Sequence, residues 1–277
     1  MLPVNLISGF LGAGKTSVLV DCLDHLEGVQ NVAVIENEFG NINVDAVSLQ
    51  GKARYIYELS NGCICCSLQD ELDLLLDSLA DVKPLDRIII EPSGVFIIDS
   101  IVDIFKQPNI SERFYIESIS VVVDAISFPE LAHLPFVCQQ IKMANIVVIN
   151  KIDQCEKIDS IVGLVKQIKP ESKILLRANK LEKRCVKKLL VPQQINLSKQ
   201  MIAAHQFTTH ILEANKFNEI KQLEEYLINK GKTLLRAKGS VQIQGQYFEV
   251  SYTLSEFKYW PIKRQHTVEN NLVLIYR

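Results

Sequence analysis

Eight consecutive residues near the amino terminus, Gly9-Phe10-Leu11-Gly12-Ala13-Gly14-Lys15-Thr16, have the spacing G-x-x-x-x-G-K-[ST]. The chemistry this spacing serves is the holding of a phosphate chain. Glycines let the backbone wrap close to the anion, and successive N–H groups and a helix N-terminus then face it. Gly9, Gly12, Ala13, Gly14, Lys15, Thr16 and Ser17 are the expected cradle. Lys15 reaches the β- and γ-phosphates, and the Thr16 hydroxyl holds Mg²⁺. The alternative is a Gly-rich turn that merely precedes a helix.

Asn150-Lys151-Ile152-Asp153 follows an expected strand at 145–149. An N-K-x-D at a strand end reads guanine. The Asp153 carboxylate can accept from both N1–H and the 2-amino group, where adenine offers no donor. Such a site rejects adenine by a few kcal/mol, about 10²-fold or more. Lys151 can lay its stem over the base. The alternative is a polar turn.

Two acidic loops belong to the same pattern. The run 88–90 ends at Glu91, and Pro92-Ser93-Gly94 turns the chain. Glu91 is expected near Mg²⁺ or the attacking water, with the Gly94 N–H near the γ-phosphate. The competing role for Glu91 is to cap the next helix. Glu36-Asn37-Glu38-Phe39-Gly40 places two carboxylates at i and i+2 of an extended chain, where both can face one cation or simply solvent.

Cys63-Ile64-Cys65-Cys66 adds soft donors suited to Zn²⁺ or Cu(I). The spacing is not the C-x₂-C of a structural zinc finger, and three adjacent ligands do not complete a tetrahedron. A fourth ligand could be Glu36, a histidine or a partner's side chain, and a site left open suits transfer. Buried core cysteines or a redox dithiol are the alternatives. Seven cysteines, an odd number, read as reduced thiols, and Cys22, Cys138, Cys155 and Cys185 as core residues.

These loops need a frame. Apolar β-branched runs at 4–7, 32–35, 88–90, 120–123, 146–149 and 174–176 alternate with amphipathic segments, one of them starting at Ser67. Runs apolar on both faces are strands buried in a parallel sheet, so a doubly wound α/β P-loop domain over 1–195 is expected. Beyond it a smaller α+β domain is expected over 205–277. Its strands are placed at 207–212, about 233–238, 246–253 and 271–276, with a helix near 218–229. A formal charge of -2 with pI about 6.2 leaves no footprint for nucleic acid. No run of 18 apolar residues offers a membrane span, and the first strand-like run leaves no room for a signal peptide. A cytoplasmic protein is the expectation.

The combination of Gly9 to Thr16, Glu36 to Gly40, Cys63-x-Cys65-Cys66, Glu91-x-x-Gly94 and Asn150-Lys151-x-Asp153 resembles the CobW family of metal-handling P-loop GTPases. Leu235-Arg236-Ala237-Lys238-Gly239 is similar to that family's C-terminal motif. The resemblance implies GTP hydrolysis with Mg²⁺, coupled to delivery of zinc or cobalt, or of a metallocofactor, to a client metalloenzyme or corrinoid protein. It implies metal binding at Glu36, Cys63, Cys65 and Cys66. A homodimer is possible; no nucleic-acid or membrane partner is expected. The chain lacks the His-rich segment that some members carry, and its C-terminal domain is short. A GTP-switched activator without metal cargo is the competing reading. A small-molecule kinase is disfavoured by residues 150–153 and by the lack of an Arg-rich lid. No glutamine or arginine finger is evident, so intrinsic hydrolysis is expected to be slow.

Overall fold

The computed structural model describes residues 1–36, 52–59, 67–95, 98–193, 207–262 and 270–277. Asn37, Glu38, Phe39, Gly40, Cys63, Cys65 and Cys66 lie outside the described residues. The chain divides into two compact units, with the break near residue 203.

Seven strands form the sheet of the first unit: β1 (Leu2–Gly9), β2 (Val32–Glu36), β3 (Tyr55–Glu58), β4 (Arg87–Glu91), β5 (Phe114–Asp124), β6 (Ile146–Asn150) and β7 (Lys173–Arg177). They lie in the order β3-β2-β4-β1-β5-β6-β7, and every pairing is parallel. Every residue of β2, β4 and β6 is buried, as both faces of a doubly wound sheet must be. The helices of this unit are α1 (Lys15–Leu26), α2 (Ser67–Ala80), α3 (Ile98–Ile104), α4 (Pro108–Ser111), α5 (Phe128–Leu131), α6 (Pro135–Met143), α7 (Ile158–Ile168) and α8 (Lys183–Leu189). On α1, Val18, Leu19, Cys22, Leu23 and Leu26 recur at helical spacing and pack on Ile7, Val34, Ile89, Val122 and Val148 of the strands. Each such buried side chain contributes about 1.5–3 kcal/mol. This packing fixes α1 directly behind the end of β1, at the strand-order reversal where open α/β sheets bind ligands.

A polar cluster is sealed inside the same sheet, toward the strand starts. The β1–β5 register shifts between Val4 and Asn5, so Glu117 is an extra residue in β5, a β-bulge. Glu117 forms an ion pair with Arg87, and both are buried. Asn5 Nδ2 donates to Glu117 Oε2 at 3.1 Å, to Ser118 Oγ at 2.8 Å and to the Leu189 carbonyl at 3.2 Å. Arg87 also donates to Asn5 Oδ1 and, through Nε, to Gln30 Oε1 at 2.9 Å.

The second unit carries β8 (Thr208–Glu213), α9 (Ile220–Ile228), β9 (Leu234–Ile243), β10 (Gln246–Thr253), β11 (Glu256–Ile262) and β12 (Asn271–Tyr276). Its sheet is antiparallel in the order β11-β10-β9-β12-β8. Leu223 and Leu227 of α9 pack on Ala237, Val241, Val250, Leu272 and Leu274 of the sheet. Gln244 at φ 51° and Gly245 at φ 80° close the β9–β10 hairpin, both in the left-handed region that a two-residue turn of this hand requires. Gly239 sits where a Cβ would lie 2.1 Å from the Asn271 carbonyl oxygen, so β12 approaches β9 only because a side chain is missing there.

Candidate functional site

The loop between β1 and α1 is shaped by steric limits at its glycines. A Cβ on Gly9 would lie 2.2 Å from the Val122 carbonyl oxygen, and one on Gly14 would lie 2.2 Å from Asn150 Nδ2. Gly9, Gly12 and Gly14 all have positive φ, at 143°, 75° and 88°. Ala13 is buried beneath the loop, Ser17 is exposed on the first turn of α1, and Lys15 is 8% exposed. Phe10 packs edge-on against Phe136 of α6, centroids 6.5 Å apart, which backs the loop with a rigid aromatic contact. From β4 the next loop arrives without a side chain: a Cβ on Gly94 would lie 2.5 Å from the Leu11 amide nitrogen. The two loops therefore touch through backbone.

Glu91 ends β4, and Thr16 Oγ1 donates to its Oε1 at 2.9 Å. A hydroxyl and a carboxylate side by side, both hard oxygen donors, fit a Mg²⁺ ion. Glu36 ends β2 in direct register with Glu91, and on its other side it pairs with Glu58 of β3. The strand ends thus place the candidate metal-ligating carboxylate one strand away from the residue bonded to Thr16.

The loop at residues 150–153, the candidate base reader, is held more elaborately than its four residues suggest. Asn150, 2% exposed, donates from Nδ2 to the Ala13 carbonyl at 2.8 Å. Its Oδ1 accepts from Arg177 Nη1 at 3.0 Å. Arg177 Nε in turn donates to Asp21 Oδ2 on α1 at 2.7 Å, and its Nη2 reaches the Ser17 carbonyl at 3.4 Å. Asp21 Oδ2 also accepts the Leu181 amide at 2.9 Å. This chain of bonds clamps the ends of β6 and β7 to the phosphate loop. Lys151, at φ 60°, pairs its ammonium with Asp124 Oδ2 at 2.8 Å, leaving its methylene stem beside the loop. Asp124 Oδ1 accepts the Ile126 amide at 2.8 Å. Asp153 stands exposed in the short turn Ile152–Gln154.

Over residues 3–176 the chain matches the domain described as CobW/HypB/UreG, nucleotide-binding domain. The chain belongs to the CobW/HypB/UreG family of P-loop GTPases. It is 37% identical over 137 residues to the zinc chaperone CobW of Pseudomonas aeruginosa, covering 45% of this chain and 36% of that protein. It is 36% identical over 159 residues to the zinc chaperone YjiA of Escherichia coli K12, covering 55% and 50%. With the zinc-regulated GTPase metalloprotein activator 1 of Dictyostelium discoideum the identity is 27% over 224 residues, covering 64% and 46%. The matched stretches therefore span between about a third and a half of these relatives' length. The fold is similar to the crystal structure of Zn(II)-bound YjiA GTPase, with a TM-score of 0.53 at 20% identity over 99% of this chain and 93% of that one. The hydrogenase maturation factor HypB of Archaeoglobus fulgidus has the same TM-score at 16% identity, over 69% and 89%.

Within this CobW/HypB/UreG chain the site residues divide by where they fall. The phosphate loop, Glu36, Glu91, Gly94 and residues 150–153 converge on the carboxyl ends of the sheet; Cys63, Cys65 and Cys66 lie outside the described residues. Among the described residues no group of three or more His, Cys, Asp or Glu is placed to hold a metal ion. Of the other cysteines only Cys22 is fully buried, with its thiol pushed up to about 12 by burial and by Asp21, which disfavours the thiolate. Cys138, Cys155 and Cys185 are half-buried rather than core. Among the described residues no helix is long and apolar enough to cross a membrane. Arg177, Asp21 and Asp124 escaped the sequence reading; an acid at the end of the apolar run 120–123 was the one available signal.

Proposed function

We propose that this chain hydrolyses GTP and uses the cycle to carry a soft divalent ion, zinc or cobalt, to a client metalloenzyme or corrinoid protein. The observation that carries the reading is the register of Glu36 against Glu91. A change at the Thr16–Glu91 pair passes sideways through one strand to the residue that opens the candidate metal segment, with no intervening element. The relatives named as zinc chaperones support zinc as the cargo, and thiolates at Cys63, Cys65 and Cys66 favour it over Mg²⁺.

On this reading Lys15 neutralises charge on the transferring phosphoryl group, and Asp153 selects guanine from its exposed position. Thr16 and Glu91 would hold Mg²⁺, which supplies positive charge to the phosphate oxygens. Metal and client are both bound more firmly in one nucleotide state than the other, which is the whole content of the coupling. An activator without metal cargo remains the second reading.

Zinc titrations of the reduced chain, alone, with GDP and with a GTP analogue and Mg²⁺, test this directly. The expected result is about one tightly held Zn²⁺ per chain, lost by orders of magnitude in Cys65→Ser or Cys66→Ser, and weaker at lower pH because thiol protons must leave. The nucleotide should shift zinc affinity, and zinc should shift nucleotide affinity by the same factor. Three superimposed curves would remove GTP gating, and no bound zinc at all would leave the activator reading in its place.

A further inference from the structure

The second unit ends its sheet on two unlike edges. β11 carries Pro261, which has no amide to donate, and a Lys258–Glu256 ion pair at 2.6 Å. Both features discourage a further strand from pairing. β8, with the sequence Thr-Thr-His-Ile-Leu-Glu, has no proline or lysine, and among the described residues it pairs with β12 alone. Five of its six residues are exposed, Ile211 to 73%. Alternate amides and carbonyls of such an edge face outward, ready for another chain.

Beside this edge lies an open cavity of about 470 Å³. His210 and Leu212 of β8, Leu274 and Tyr276 of β12, and Tyr226 of α9 with the following Lys230 are among the residues that line it. A helix standing alongside an exposed edge strand is the frame in which extended peptides add to a sheet, their alternate side chains entering the groove. Lys230 brings a positive charge to the groove. The Lys230 and Lys216 ammonium groups lie 4.5 Å and 4.2 Å from the Tyr226 ring centroid. Burial acts to raise the Tyr226 phenol, but hydrogen bonds from the two lysines outweigh it and hold the phenol below its ordinary value. The phenols of Tyr226 and Tyr276 stand beside Lys230, and His210 lines the same cavity.

We propose that β8 accepts an extended segment of a partner protein as a sixth strand, and that the cavity takes a carboxylate side chain of that segment against Lys230. Main-chain bonds to β8 supply affinity without sequence preference, and the cavity supplies the preference. An acidic residue lies over His210 and Lys230, and an apolar residue two positions along meets Leu212. Side chains on the alternate positions cover Ile211. A second copy of this chain does not meet the requirement. In an antiparallel β8–β8 pairing, opposed residues share a face, so the copy would offer Thr208, His210 and Leu212 to the cavity and keep Glu213 on the other side.

The test uses fluorescein-labelled, end-capped octapeptides of alternating threonine and valine, with one glutamate stepped through the positions, binding to the full chain by fluorescence anisotropy. Binding should favour glutamate at positions of one parity. Glutamine at the favoured position should weaken it about tenfold, the worth of one charge-assisted hydrogen bond. N-methylation of alternate peptide amides should abolish it. Lys230→Gln should erase the glutamate preference, whereas Lys221→Gln, at an exposed site on α9, should not. Equal binding of glutamate and glutamine peptides, or undiminished binding of N-methylated ones, overturns the proposal. So does concentration-dependent dimerisation that blocks the peptide, which would assign the edge to a second copy.

Discussion

Two buried polar networks sit in the same parallel sheet and end differently. The lower one, around Asn5, Arg87, Glu117 and Ser118, spends its hydrogen bonds on itself, on the Leu189 carbonyl and on Gln30, none of them on the phosphate loop. The upper one, around Asp21, Asn150 and Arg177, is just as buried, but its bonds end on the Ala13 and Ser17 carbonyls of the phosphate loop, beside exposed Asp153. A network that ends within the scaffold lowers the free energy of one fold. A network that ends on a loop fixes the shape of a surface. Burial and bonding of individual residues do not separate the two roles; the place where the bonds terminate does.

Three substitutions can break or sharpen this contrast. Arg87→Met should have the largest effect on stability. It leaves the Glu117 carboxylate buried without its cation, and should lower the unfolding free energy in urea by about 3–5 kcal/mol. Preference for GTP over ATP should be unchanged; a loss of preference would mean that the lower network also shapes the site. Arg177→Met should act on both counts. Asp21 loses its ion pair, destabilising the chain by a smaller amount, about 1–3 kcal/mol. Asn150 loses its orienting donor, so GTP affinity should fall about tenfold, the worth of one good hydrogen bond. Normal affinity in a destabilised Arg177→Met chain would reduce the upper network to scaffolding. Asp153→Asn should leave stability within about 0.5 kcal/mol, as for other exposed positions. It should nonetheless weaken GTP binding about 10²-fold and turn preference toward xanthine nucleotides, because an amide donates where the carboxylate accepts. Comparable affinity of the parent chain for ATP and GTP would remove the base-reading role altogether.

What the sequence made legible was whatever lies within a few residues. The phosphate loop and residues 150–153 are contiguous and carry their chemistry in their spacing, and the α/β alternation followed from apolar runs long enough to read. Strand β3 escaped although Tyr55-Ile56-Tyr57 are strand-favouring residues, because it is only four residues long and ends at once on Glu58. β11 escaped because Pro261 argues against a strand unless that strand is an edge, which sequence alone does not disclose. Strand β5 starts well before the run at 120–123 because Glu117 and Ser118 interrupt the apolar pattern, and only the partners Arg87 and Asn5 make their burial tolerable. Arg177 ends β7 as an ordinary charged residue; its partners Asn150 and Asp21 are distant in sequence, and no local pattern announces them.

The bond between Arg177 and Asp21 spans 156 residues. A chain made from its amino terminus, at about 5–20 residues per second, therefore carries its phosphate loop for many seconds before the residue that locks it exists. During that interval the nucleotide has no finished cleft to enter. GTP binding consequently reports completion of the sheet, and each bound nucleotide then shifts the folding equilibrium further toward the finished domain by mass action.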